Sequence, residues 1–218
     1  MQQPDQLVDE TSSEDAGDIA PRYPVELACT VRCEGLQYRV RPIGPEDEDG
    51  LAAFHEGLSP RSTYLRFFTC HPHLTPDELF RFTHVDYERR LALVAETEDG
   101  IIGVGRFDCC EEEPEAAEVA FVVGDQWQRH GVASLLLDEL VTAARRRGIA
   151  RFIASTLVEN HAMLDVFAHC GFPLTRETDY ETVSLSFPLA ETSQHAACLA
   201  RRDATRTVLR DVGAADRC

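Results

Sequence analysis

An α/β (α+β) fold is predicted for this 218-residue chain by three features of its sequence. Between positions 117 and 170 a strand pattern, a tight loop, a helix, a second strand and a second helix follow one another, the alternation that packs helices against a sheet. Upstream, the apolar runs 90–96 and 101–107 flank Asp99 and Gly100, the signal of a β-hairpin. The segment 38–43 alternates as a strand does and stops ahead of Pro45, a residue suited to the first position of a helix.

In chain order, residues 1–22 are polar and acidic and are expected to form a disordered tail. A folded domain is expected over 23–190. It opens with the strand at 38–43 and a helix from Pro45 to about Leu58, followed by a short helix at 60–68. A third helix starts at Thr75, an N-cap with Glu78 three residues on, the spacing of a capping box. The hairpin comes next, then an acidic loop, then a strand at 117–123. A helix over 132–147 buries Leu135, Leu136, Leu140, Val141 and Ala144, and ends in Arg145, Arg146, Arg147 and Gly148, cations and a glycine that suit a helix C-terminus. A strand at 151–157, a short helix at 161–170 closed by Gly171, and a last strand or strands at 178–187 complete the domain. The segment 191–218, with Arg201, Arg202, Arg206 and Arg210 among sparse apolar residues, is either an extra helix or a loose tail.

Composition narrows the function classes. A chain of this length that is 44% hydrophobic supports one domain or two. No apolar run reaches 18 residues, and the first 20 positions hold six acids and no base, which argues against a membrane span and a signal peptide and makes the cytoplasm the expected location. A net charge of -17 disfavours nucleic acid, whose phosphates need a basic surface. Acidic stretches at 5–18, 46–49 and 111–115 favour basic partners, although solvated loops explain them more simply. All 21 basic residues are arginine, so the chain has no lysine side chain to modify. The eight cysteines are expected to be reduced thiols without a disulfide framework. Cys70, His71 and His73 lack the distant second ligand pair of a structural zinc site, and no metal is expected.

The segment 117–137 carries the chemistry. A buried strand runs into a loop and a helix start, where unpaired N–H groups and the macrodipole favour an anion, and Gly131 with the small Ala133 lets a diphosphate approach the backbone. The plain alternative is a strand-turn-helix whose glycine only relieves a corner. Gln128, Gly131 and Ala133, spaced Gln-x-x-Gly-x-Ala, resemble the acyl-CoA pyrophosphate loop of the GNAT superfamily of N-acetyltransferases. The resemblance implies the GNAT fold, a central mixed, mostly antiparallel sheet flanked by helices, with a splayed strand and a pyrophosphate loop. It narrows in the first half of the chain. Arg41, Pro42 and Ile43, then Pro45, Glu46 and Asp47, the run Leu58, Ser59, Pro60 and Ser62, and the pair Asp86 and Tyr87 make residues 23–188 similar to the Pat-type protein lysine acetyltransferases. Some such relatives carry a cyclic-nucleotide module or an acyl-CoA synthetase, for which the residues ahead of the match are too few.

By this resemblance acetyl-CoA is the acyl donor. Phe121, Val122 and Val123 would pair by backbone with the pantetheine arm, one N–H there polarising the thioester carbonyl. Gln128, Arg129, His130, Gly131, Val132, Ala133 and Ser134 would hold the pyrophosphate. Asn160 matches an asparagine beside the pantetheine arm and serves equally well as a helix N-cap. An ammonium ion has no lone pair to attack a thioester, so a general base is needed, and the resemblance places it at Glu118; the simpler role for Glu118 is to open a strand at the surface. Where many relatives have a tyrosine that protonates the departing thiolate, this chain has Phe167, so CoA leaves as a thiolate or another donor, such as a bound water, serves. The expected activity is acetyl transfer to an amine, foremost a protein lysine. A small-molecule amine acceptor, or a non-catalytic acyl-CoA-binding or sensing module, stays open.

Overall fold

A computed structural model describes residues 22–33 and 35–211, so all but the last residue of the acidic segment 1–22 lies outside the described residues. Nine strands form one sheet in the order β7-β8-β6-β5-β4-β3-β2-β1-β9. The hairpin β1 (Cys29–Cys33) and β2 (Leu36–Pro42) leads through a 3-10 turn at Pro45–Asp47 into helix α1 (Glu48–Glu56). Helices α2 (Pro60–Phe67) and α3 (Pro76–Thr83) follow. Strands β3 (Arg90–Thr97), β4 (Gly100–Cys109) and β5 (Ala116–Val123) form an antiparallel meander. Then come helix α4 (Val132–Arg146), strand β6 (Arg151–Leu157), helix α5 (His161–Ala168) and the hairpin β7 (Thr175–Asp179) and β8 (Thr182–Pro188). The segment beyond 190 forms helix α6 (Ser193–Asp203) and strand β9 (Arg206–Arg210).

All neighbouring strands pair antiparallel except β5 and β6, which are parallel. That mixed sheet accounts for the alternating burial of most strands, with a fully buried centre at β3 and β4, where helices cover both faces. One face packs on α4, whose Val132 and Leu136 lie over Gly103 and Gly105 of β4. A Cβ on Gly105 would stand 2.8 Å from the Phe121 ring, so the glycine lets that ring cross β4. The ring packs in turn on Phe167 of α5, and Phe167 on Phe187 of β8. The opposite face carries Val104, Arg106, Ala120 and Val122 beneath Leu51 and Phe54 of α1 and Phe82 of α3.

Ion pairs fasten strands β2 and β9 to this frame. Arg41 grips Asp47 at 2.7 and 2.8 Å and Glu96 at 2.7 and 2.9 Å, while Tyr23 and Tyr87 donate to the carbonyls of Pro42 and Ile43. The Asp47 bond holds the Arg41 pKa above its ordinary value, outweighing burial. Burial acts to raise the Asp47 pKa, but Arg41 and the Gly44 N–H outweigh it and hold the carboxyl below its ordinary range. At the other end, Asp138 and Glu139, buried acids of α4, receive Arg202, Arg206 and Arg210 from the C-terminal segment, with Arg206 at 2.8 Å from Asp138. Strand β9 thereby extends the sheet at β1.

Candidate active site

Strands β5 and β6 stay in register only over Ala116–Arg151, Ala117–Phe152 and Glu118–Ile153. Past Glu118 they diverge, while β5 keeps its β4 partners as far as Val123. Residues 119–123 therefore present one backbone edge without a strand beside it, and unpaired strand N–H and C=O groups are a template for another extended chain. At the far end of that edge lies the N-terminus of α4.

Three features open this helix end to an anion. Its N-cap, Gly131, sits at φ 78° and supplies no side-chain cap, and its first turn holds no acid. The first N–H groups of a helix have no partner within it. Arg129, at φ 63°, is left-handed as well, so the loop turns twice within three residues. A Cβ on Gly131 would meet nothing within 4 Å, so the glycine answers a backbone angle, and the space beside it is open to a ligand. A helix end of this kind suits an anion such as a phosphate group.

A cleft of about 600 Å³ joins the helix end to the splay. Phe121, Val122, Val123, Gln128, Arg129, Gly131, Val132, Ala133, Ser134 and Asn160 all line it. His130 does not; it is exposed between the two left-handed residues. Asn160 accepts a hydrogen bond from Met163 N as the cap of α5 at 3.2 Å, and it also lines the cleft. Gln128 donates to Ser62 Oγ at 3.1 Å and to the Val123 carbonyl at 3.2 Å, which makes it a brace between loop, α2 and β5. Phe167 is buried in the core.

Glu118 lies outside the lining of the large cleft, at the vertex of the splay, exposed and across from Asp108. Alternation places it on the face of Ala120 and Val122, the face toward α2. Arg66 of α2 lines the cleft and stands within the field of Glu118: burial lowers its pKa, and Glu118 and then Asp108 oppose that shift. Arg106, on the same face, donates to the Phe82 carbonyl at 2.9 Å and lies over the Phe82 ring, and burial pushes its pKa down to about 9.

Sequence reasoning missed Arg66, and it missed what the Ser59–Ser62 motif does. Ser59 caps α2 through Ser62 N. Ser59 N and Oγ and Ser62 Oγ all donate to Asp125, at 2.9, 2.7 and 2.8 Å. Burial acts to raise the Asp125 pKa, but these bonds outweigh it and keep the carboxyl below its usual range. The clasp fixes α2, and Arg66 with it, against the turn between β5 and the loop that leads into α4. Cys70 and His71 hold no metal-like arrangement: among the described residues no group of three or more His, Cys, Asp or Glu side chains is placed to share an ion. The seven described cysteines are free. Among the described residues no helix is long and apolar enough to cross a membrane.

The mixed sheet splays beside an uncapped helix N-terminus, and both open onto one cleft. The model of the acetyltransferase (GNAT) family matches residues 59–172, and the chain belongs to that family. An acetyltransferase of Pseudomonas aeruginosa is 30% identical over 153 residues, covering 68% of this chain and 82% of its own length. The acetyltransferase Pat of Mycolicibacterium smegmatis is 31% identical over 185 residues, covering 82% of this chain; the chain spans 55% of that relative. The GNAT domain of S. lividans PAT superposes with a TM-score of 0.72 at 36% identity, over 77% of this chain and 99% of that domain. The protein is an acetyltransferase of this family with Pat-like relatives.

Proposed function

We propose that the chain transfers the acetyl group of acetyl-CoA to a protein lysine ε-amine with Glu118 as general base. The observation that carries this reading is the continuity of the uncapped α4 N-terminus with the unpaired edge of β5 along one cleft, with Glu118 at the vertex where that edge begins. In this reading the pyrophosphate rests on the N–H groups of 131–134 and the pantetheine arm lies along 121–123 as an added strand, which brings the thioester toward Glu118. Glu118 takes a proton from the lysine ammonium, directly or through water. The freed lone pair attacks the carbonyl carbon, and a backbone N–H of the splayed edge stabilises the oxyanion. The C–S bond then breaks, the nitrogen loses its second proton to solvent, and CoA departs. Support for lysine comes from the likeness to the two Pat proteins and from a net charge of -17, which attracts lysine-rich surfaces.

The test is acetyl-CoA turnover with and without a lysine-rich protein mixture, followed by mass spectrometry. Acetyl groups on specific lysines are expected, and the absence of lysine from the chain removes side-chain self-acetylation as a background. Turnover confined to small amines would overturn the protein acceptor, and acetyl-CoA binding without transfer to any amine would overturn catalysis in favour of a sensing module.

A further inference from the structure

Thr156 of β6 stands across the splay from β5, is 2% exposed, and its Oγ1 has no hydrogen-bond partner among the described residues. A buried hydroxyl left unpaired weakens a fold, and valine would fill the same volume without that cost. The residue lines a cavity of about 20 Å³, room for one water or one sulfur atom, between β5, β6 and α5. Phe121, Asn160 and Met163 belong both to this cavity and to the large cleft. Phe167, whose ring can donate no proton, belongs to it too. The small cavity is thus where the bond-breaking end of an acyl donor arrives if its diphosphate sits on α4, and its one buried side-chain hydroxyl is that of Thr156.

We infer that Thr156 donates a hydrogen bond to the CoA sulfur as the C–S bond breaks, stabilising a thiolate leaving group. The inference rests on the acetyl-CoA reading of the cleft given above. The electron pair of the C–S bond goes to sulfur, the threonine keeps its proton, and the thiolate is protonated from solvent after release, so no phenol is needed at position 167.

The experiment compares wild type with Thr156→Val and Thr156→Ser in the full chain. Thr156→Val is expected to melt at the same or a higher temperature while kcat falls roughly 10- to 100-fold, the scale of a hydrogen bond to a charged group. KM for acetyl-CoA should stay within about twofold, because the bond strengthens only as charge develops, and Thr156→Ser should restore most of the rate. Calorimetric binding of CoA and desulfo-CoA gives a second readout that requires no acceptor. As pH rises into the range where an alkyl thiol ionises, above the roughly 8.5 of a cysteine, wild type should increasingly prefer CoA, and Thr156→Val should do so less, the remainder being due to Arg66, which also lines the cavity. Unchanged kcat and an unchanged CoA to desulfo-CoA ratio in the valine variant would overturn the assignment, as would a fall in melting temperature that tracks the loss of rate. Failure of the wild type to bind CoA would overturn the cleft reading and this inference together. CoA binding without turnover would overturn the catalytic reading and the role of Thr156 in bond breaking, and a thiol preference lost in Thr156→Val would then show only a hydrogen bond to the sulfur of bound CoA.

Discussion

Helix α3 starts with Thr75 accepting from Glu78 N and Glu78 accepting from Thr75, with Asp77 in the same turn, whereas α4 starts with a left-handed glycine, no side-chain cap and no acid. The same contrast separates larger regions. Around Arg41 and around Asp138, buried charges are matched by opposite charges at hydrogen-bond distance. Around the splay, a strand edge, a helix end and a buried hydroxyl are left without partners. Buried side-chain atoms without a hydrogen-bond partner also occur away from the splay, at His71 Nε2 and Arg145 Nη2, so what sets the splay apart is that its open strand edge, helix end and hydroxyl lie along adjoining cavities. The cost of the open groups is borne by the saturated ones, which hold β1, β9 and α1 onto the sheet.

Changes on the two sides of this contrast should separate activity from stability. The largest effect is expected at the vertex: Glu118→Gln should lower turnover by about 10²- to 10⁴-fold, the usual contribution of a general base, with acetyl-CoA affinity by calorimetry unchanged. Turnover equal to wild type would remove Glu118 from the mechanism. In the saturated region, Asp47→Asn should cost roughly 3 kcal/mol in chemical denaturation at neutral pH, as expected when a buried pair loses one charge, with CoA binding preserved in the folded fraction. Because Arg41 and the Gly44 N–H hold the folded Asp47 pKa below its unfolded value of about 3.9, that stabilisation is complete above pH ~4. It disappears as pH falls through the folded value, so the two proteins should converge in stability in acid. A gap that persists undiminished well below the folded value would deny the charge its role.

Smaller changes exchange the properties of the two helix ends. Ala133→Asp gives α4 the acid it lacks; it should raise stability by about 0.3–1 kcal/mol through the macrodipole. The same charge should weaken CoA binding, by about tenfold for a repulsion near 1.4 kcal/mol, and a variant that binds CoA as wild type does would place the diphosphate elsewhere. Thr75→Ala removes the cap of α3 and should lower stability by about 1 kcal/mol while leaving CoA binding as it was.

The helices, most strands and the tight loop before α4 were legible in the sequence because each depends on residues a few positions apart. Pro45, the Thr75–Glu78 box, the Asp99–Gly100 turn and the cations closing α4 each announced an element by local chemistry, and the structure carries each of them. Strands β1 and β9 were not anticipated. Strand β1 is five residues long, with Thr30 and Arg32 alternating among Cys29, Val31 and Cys33, and β9 acquires order by pairing with it and by fastening Arg206 and Arg210 to acids some seventy positions away.

The site divided along the same line. Most of the cleft lining, Gln128, Arg129 and Gly131 to Ser134, could be chosen from the sequence because the loop spacing carries the signal, whereas His130, chosen with them, and Glu118 lie outside that lining. The clasp of Ser59 and Ser62 on Asp125, the placing of Arg66 in the lining of the cleft, and the solitary Thr156 hydroxyl could not be chosen in this way. Backbone angle, capping and strand alternation are properties of neighbours, so the order of residues determines them before the chain folds. Which of 21 arginines meets which carboxylate, and which hydroxyl is left with nothing to bond, depends on how the sheet splays and on what is packed beside it, and that was decided only when the tertiary structure brought distant segments together.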